Sequence, residues 1–254
     1  MPRRKGLKLT IDVGEQRKNE CTKINVSKLE PKYIGFNNDA RELLDLNGLT
    51  VNNIIMKERG SYLTIIIIFN VKYVVKIYYR IRSDKLSSNI IKDQDRQRVN
   101  EIIAQQYAHH LAVKSREFDV PKILVWHIVK NDNLINFIKD VLDKYHNNPQ
   151  FAKFIEIMED NTNCWSIFIL MEKSAGIPLN EVNPESLQKS FFPEILKIIE
   201  YFRENGLAHN DMNFGNIYID LHTGCITIID FGEAVFGDPE QLTLLTIKNS
   251  KRFE

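Results

Sequence analysis

Apolar positions along the chain switch between the two periods that separate strands from helices. From Asn53 a strand-rich section opens. Ile54-Ile55-Met56 is a short apolar run broken by Glu58-Arg59-Gly60-Ser61, and Leu63 to Phe69 is dense in β-branched Ile. Asn70-Val71 reads as a tight turn, and Tyr73 to Tyr79 closes the set. Three β-rich runs with short breaks predict an antiparallel meander. A polar stretch, Arg82 to Asp95, leads into Val99, Ile102, Ile103, Tyr107 and Leu111, whose three- and four-residue spacing marks one face of a helix. Val120 to Val129 is strand-like after Pro121. Leu134 to Met158 reads as two amphipathic helices split by Asn147-Asn148-Pro149, and Trp165 to Met171 as another buried strand.

A second, mostly helical section follows Lys173-Ser174-Ala175-Gly176, which is too polar for a strand. Asn183-Pro184-Glu185 has the form of a helix start, with a capping Asn, Pro at the first helical position and an acid in the first turn. Pro193 removes a backbone donor and so restarts that helix. Ile195, Ile198, Ile199 and Phe202 continue the apolar face, and Gly206 is placed to end it. Ile217–Ile219 and Ile226–Ile229 predict two short strands joined by a turn at His222-Thr223-Gly224. The pattern from Glu240 to Arg252 predicts one last helix. Two unequal lobes result: an amino lobe over 51–173 with a helical insertion near 131–160, and a carboxyl lobe over 174–254. Residues 1–50, rich in Lys and Asn, read as an amino-terminal extension.

Composition narrows the function classes. Lys plus Arg number 34 against 33 Asp plus Glu, a net charge of +1, which excludes a strongly basic chain built to grip nucleic acid. The longest apolar run is far short of the roughly 20 residues a membrane-spanning helix needs, and no secretory signal follows Arg3-Arg4-Lys5. Three cysteines, Cys21, Cys164 and Cys225, form no CxxC pair, so no zinc or redox motif is present and reduced thiols are expected. These features predict an intracellular protein, cytoplasmic or nuclear.

The chemistry-bearing stretch is His209-Asn210-Asp211-Met212-Asn213-Phe214-Gly215-Asn216, followed by Ile228-Ile229-Asp230-Phe231-Gly232. Asp230 ends a strongly apolar strand, where a carboxylate is costly unless a cation meets it. Asn216 starts the neighbouring strand. Adjacent strand ends bring these two oxygen-bearing side chains toward one ion, and oxygen ligation suits Mg2+. Asp211 then sits at the mouth of the same site as a base. No GxxxxGK phosphate loop occurs.

HxDxxxxN followed by DFG resembles the catalytic and metal-binding loops of the protein-kinase-like superfamily. The resemblance implies an α+β, two-lobed fold with an antiparallel amino-lobe sheet carrying one helix, and an abbreviated helical carboxyl lobe. It implies ATP as phosphoryl donor with Mg2+. Asp211 would take the acceptor hydroxyl's proton, Asn216 and Asp230 would hold the metal, and His209 would pack the loop against the Asp230-Phe231-Gly232 turn. Lys76, in Val74-Val75-Lys76, looks like the strand lysine that holds the nucleotide phosphates. Glu101, 25 residues on, would be its helix partner. Glu172 and Lys173 stand where the hinge reads adenine through backbone groups, and Gly60 and Ser61 where backbone amides cover the phosphates.

The sequence departs from conventional protein kinases in four ways. Gly60 is alone between the first two strands. Asn213 stands two residues after Asp211, where those enzymes carry Lys, which looks more like aminoglycoside and choline phosphotransferases. Only 22 residues follow Gly232, too few for an APE segment and large helices, as in RIO kinases, the small kinase of the KEOPS tRNA-modification complex and lipopolysaccharide-core sugar kinases. The 134–158 insertion replaces a tight hairpin and reads as a helical hairpin packed on its own lobe, with a partner-docking surface as the alternative. The expectation is an atypical serine/threonine protein kinase. The alternatives are the same chemistry on a small-molecule or sugar hydroxyl, or a non-catalytic scaffold.

Overall fold

The isoleucine-rich run alternates strictly: Leu63, Ile65, Ile67 and Phe69 are buried on one face, while Thr64, Ile66 and Ile68 are half-buried on the other. Period-2 alternation of this kind fits a pleated strand with both faces in use. In the computed structural model, which describes residues 51–59, 62–69, 73–81, 88–142, 149–159, 164–183, 191–251 and 253, this run is β2 (Tyr62–Phe69). It lies between β1 (Val51–Arg59) and β3 (Tyr73–Arg80), paired antiparallel to both, which is the expected meander. The sheet continues through β5 (Trp165–Glu172) to β4 (Ile123–Lys130), five strands in the order β1-β2-β3-β5-β4. The 1–50 extension, Gly60, Ser61, the turn at 70–71 and the helix start at Pro184-Glu185 lie outside the described residues.

Helices cover both faces of this sheet. On one face, β3 contributes Val75, Ile77 and Tyr79 to a core completed by α2 (Asn131–Leu142) and α3 (Pro149–Glu159) through Leu134, Ile135, Ile138, Phe154 and Met158. The Tyr79 hydroxyl donates to the Met158 carbonyl at 2.5 Å, closing that layer. Leu134, Ile135, Ile138, Phe154 and Met158 of the insertion are therefore packed on its own lobe, as the helical-hairpin reading expects. On the other face lies α1 (Ser88–Ser115). It begins well before the expected start: within the polar stretch Asp95 accepts the Tyr62 hydroxyl and lies 3.4 Å from Arg80, and Arg98 packs over the Tyr78 ring, so polar composition alone does not mark a loop here.

Helix α1 reaches the second core too. Ile102 packs under the sheet, while Ala104, Ala108, Leu111 and Ala112 join Ile195, Ile198 and Phe202 of α4 (Phe191–Glu204). Pro193 stands in the first turn of α4, where its missing donor costs nothing, and the helix ends before Gly206 as expected. Small strands then carry the loops: β6 (Ile177–Pro178), β8 (Ile217–Ile219) and β9 (Ile226–Ile228) form one sheet, and β7 (Leu207–Ala208) pairs with β10 (Val235–Phe236). Gly176, at φ +81°, permits the crossing into β6, since a Cβ there would lie 2.1 Å from the Ile219 carbonyl oxygen. Helix α5 (Thr243–Ser250) is the predicted last helix. Cys164 and Cys225 are free thiols. Among the described residues no helix is long and apolar enough to cross a membrane.

Candidate active site

Two short loops meet because β8 and β9 pair. Ile217 lies opposite Ile228, and the Ile229 N–H donates to the Asn216 carbonyl at 3.0 Å, so Asn216 faces the entry to Asp230. The loop before β8 is braced from within. The Asn216 amide NH2 donates to the Asp211 carbonyl (2.9 Å) and to its carboxylate Oδ2 (3.2 Å). The Asn213 amide donates to the same carbonyl (3.1 Å) and accepts the Gly215 N–H (2.9 Å). Both ends of the Asn213 side chain are thus used inside the loop.

His209 fastens this loop to the next one. It is 3% exposed, its Nε2 lies 2.9 Å from the Ile229 carbonyl, and its Nδ1 faces the Asp211 N–H at 3.4 Å. These partners require the proton on Nε2. Burial pushes the imidazole pKa below its ordinary value, against the opposing pull of the Ile229 carbonyl. The ring also lies against Phe231, centroids 4.6 Å apart, and Phe231 is fully buried. Asn210 (φ +60°) and Asp230 (φ +62°) both occupy the left-handed region, a sparsely populated conformation that packed loops at functional sites commonly sustain.

Lys76 joins the two lobes. Its ammonium lies 2.6 Å from Glu101 Oε1 and 3.1 Å from Asp230 Oδ1. Burial alone depresses the lysine, but Glu101, Tyr78 and Asp230 outweigh it and raise its pKa well above the ordinary value. The same ammonium holds the Asp230 carboxyl below the usual carboxylate range, against partial burial. Asp230 keeps 48% of its side chain exposed while Glu101 keeps 2%, so Asp230 is the carboxylate a ligand can reach. Gly232 lets the turn close: a Cβ there would sit 3.3 Å from Glu101 Oε2 and 3.4 Å from Asp230 Oδ1.

The structure therefore brings Lys76, Glu101 and Asp230 into one group and couples Asp211 to Asn216 beside it. Glu172 is turned elsewhere. Its N–H donates to the Lys122 carbonyl at 2.9 Å and its carboxylate accepts the Lys122 N–H at 3.4 Å. Lys173 is exposed. Three residues absent from the sequence reading also belong to the group. The Tyr78 hydroxyl donates to Glu101 Oε2, Arg98 lies 3.9 Å from the same oxygen, and Gln97 donates to the Gly232 carbonyl (3.2 Å) and to Glu233 (3.0 Å). The available signal was spacing: Tyr78 shares a strand face with Lys76, and Gln97 and Arg98 precede Glu101 by one helical turn. Among the described residues no cluster of three or more His, Cys, Asp or Glu is assembled.

No family model matches the chain. Among curated proteins it is similar to the serine/threonine-protein kinase pim-2 of Danio rerio, 25% identical over 80 residues, covering 32% of this chain and 24% of that protein. It is 29% identical over 124 residues to a probable serine/threonine-protein kinase of Dictyostelium discoideum, covering 46% and 26%. The chain thus spans about a quarter of the length of these relatives. Solved structures that resemble it include the Rio2 kinase–ADP/Mg2+–phosphoaspartate complex from Chaetomium thermophilum, with TM-score 0.43, 16% identity, and 80% of this chain and 54% of that one covered. WbdD gives TM-score 0.45, 16% identity and 79% and 37% coverage. The kinase PK-1 of Cydia pomonella granulovirus gives 0.37, 13%, and 78% and 58%. The five-stranded antiparallel sheet with its helix is the α+β arrangement the motifs led us to expect, and over part of its length the sequence is similar to serine/threonine protein kinases.

Proposed function

We propose that this chain is an ATP- and Mg2+-dependent phosphotransferase whose acceptor is a serine or threonine hydroxyl of a protein. The observation that carries the reading is the Lys76 ammonium held between Glu101 and Asp230 at 2.6 and 3.1 Å, with Asp211 tied to Asn216 beside it. A buried cation fixed by one carboxylate, with a second carboxylate half-exposed, suits a polyphosphate that arrives with its own cation. The donor set fits Mg2+. Asp230 is ionised, and the Asn216 NH2 group is committed to Asp211, which leaves the amide oxygen as the end a hard cation takes. When bound there, Mg2+ supplies positive charge against the phosphate oxygens.

The chain's own residues do the rest. Lys76 neutralises phosphate charge from the amino lobe, and Glu101 keeps it extended toward the ligand. Asp211 orients the acceptor hydroxyl and takes its proton as the new O–P bond forms and the bond from the γ-phosphorus to ADP breaks. No covalent enzyme intermediate is needed, because positioning and charge neutralisation supply the rate. The similarity to serine/threonine kinases supports a protein acceptor. Asn213 favours a second reading, a small-molecule acceptor, because its amide is consumed in bracing the loop and no lysine stands there.

The test is phosphate transfer from γ-labelled ATP, with generic proteins in one series and sugars and small alcohols in another. Asp211→Ala should lower turnover by about 10²–10⁴-fold and spare nucleotide binding, whereas Lys76→Ala should weaken both. Label on protein supports the first reading, and label confined to small molecules selects the second. A wild-type rate retained by Asp211→Ala would remove Asp211 as the base, and absence of any transfer would favour a scaffold.

A further inference from the structure

Strand β3 and helix α1 face one another through a polar ladder. Lys76, Tyr78 and Arg80 are alternate residues of the strand, and Asp95, Arg98 and Glu101 recur every third residue of the helix. Arg80 lies 3.4 Å from Asp95, which also accepts the Tyr62 hydroxyl, and Lys76 lies 2.6 Å from Glu101. Tyr78 is the middle rung. It is 1% exposed, donates to Glu101 Oε2, and has Arg98 4.6 Å and Lys76 5.1 Å from its ring centroid.

Arg98 is the reason this rung matters. It is 6% exposed, its Nε has no hydrogen-bond partner, and its Nη1 is 3.9 Å from Glu101 Oε2. A buried guanidinium short of an acceptor competes for a carboxylate, and a two-pronged guanidinium–carboxylate pair is among the stronger side-chain contacts. The Tyr78 hydroxyl occupies the oxygen that Arg98 would take. Without it, Glu101 turns toward Arg98, and Lys76 is left with Asp230, the carboxylate assigned to the metal.

We propose that Tyr78 is a positioning residue that acts through Glu101 to keep Lys76 available to the nucleotide. This rests on the reading of Lys76 and Asp230 as nucleotide-site residues. Tyr78→Phe retains the ring, its packing and both cation–ring contacts, so the fold is preserved while one oxygen is lost. ATP affinity with Mg2+, measured by calorimetry, should fall roughly tenfold, as loss of a hydrogen bond to a charged group requires. KM for ATP should rise by a like factor, and so should the Mg2+ concentration for half-maximal rate. Tyr62→Phe deletes a neighbouring buried hydroxyl that reaches Asp95 instead, and it should lower the melting temperature while leaving all three values within about twofold. In a Glu101→Gln background, adding Tyr78→Phe should change them by less than about twofold, because coupled residues do not add. Tyr78→Phe with wild-type ATP affinity, or with an undiminished effect in Glu101→Gln, overturns the inference while wild-type transfer stands. A wild type that neither binds ATP nor transfers phosphate overturns the underlying reading instead.

Discussion

Of the titratable groups at the site, Lys76 and Asp230 are held in their charged forms by each other, whereas burial favours the neutral form of His209. The folded pKa of Lys76 is raised, so its contribution to stability is complete below the unfolded value of about 10.4 and is lost only as pH rises past the folded one. That of Asp230 is lowered, so its contribution is present above about 3.9 and is lost as pH falls through the folded value. His209 is lowered by burial and must take up a proton on unfolding in mild acid. The unfolded chain then binds more protons, so stability falls as pH drops from about 6.5 toward the folded pKa. The urea midpoint of the wild type should therefore decrease between pH 7.5 and 5.5. His209→Gln, less stable overall, should lose most of that slope. An unchanged slope in the variant would place the acid-sensitive group elsewhere.

The hairpin of α2 and α3 turns the amino-lobe sheet into the middle layer of three. Phe154 is fully buried in the core between hairpin and sheet, so Phe154→Ala should cost about 3–5 kcal/mol in urea unfolding. A loss below about 1 kcal/mol would mean that the hairpin is no part of the cooperative core. The elements themselves were legible in sequence, because strands rich in β-branched residues and the stripe at Ile135 and Ile138 have distinct periods. Their partners were less so, since an apolar stripe states that a face is covered and not by what. The start of α1 was misread for a related reason. Asp95 reads as the end of a polar connection until the sheet supplies Tyr62 and Arg80 beside it. That Lys76, Glu101 and Asp230 come together, with Asp211 beside Asn216, was legible through the motifs, while Tyr78 was hidden inside an aromatic strand where a hydroxyl and a packing ring read alike.

Helix α1 belongs to both cores, and this governs how the folded region from β1 onward responds to damage. Its 28 residues span about 42 Å at 1.5 Å per residue, long enough to place Ile102 under the sheet and Leu111 among the side chains of α4. Beyond the helix, Asp119 is zipped onto β9, its N–H donating to Ile226 at 2.8 Å and its carbonyl accepting from Ile228 at 2.9 Å. Gln97 and Lys76 add polar ties to the 230–233 turn. With so many shared groups, neither lobe can open without exposing part of the other's core, so the two should unfold in one transition. Tryptophan reports on this cleanly, because the two in the chain, Trp126 and Trp165, both lie on amino-lobe strands. Ile198, 3% exposed in α4, is in the other core. Ile198→Ala should cost about 2–5 kcal/mol, and it should move the urea midpoint seen by tryptophan fluorescence as far as the midpoint seen by far-UV circular dichroism. A fluorescence midpoint that stayed in place while the dichroism shifted would show that the lobes unfold separately and that α1 does not couple them.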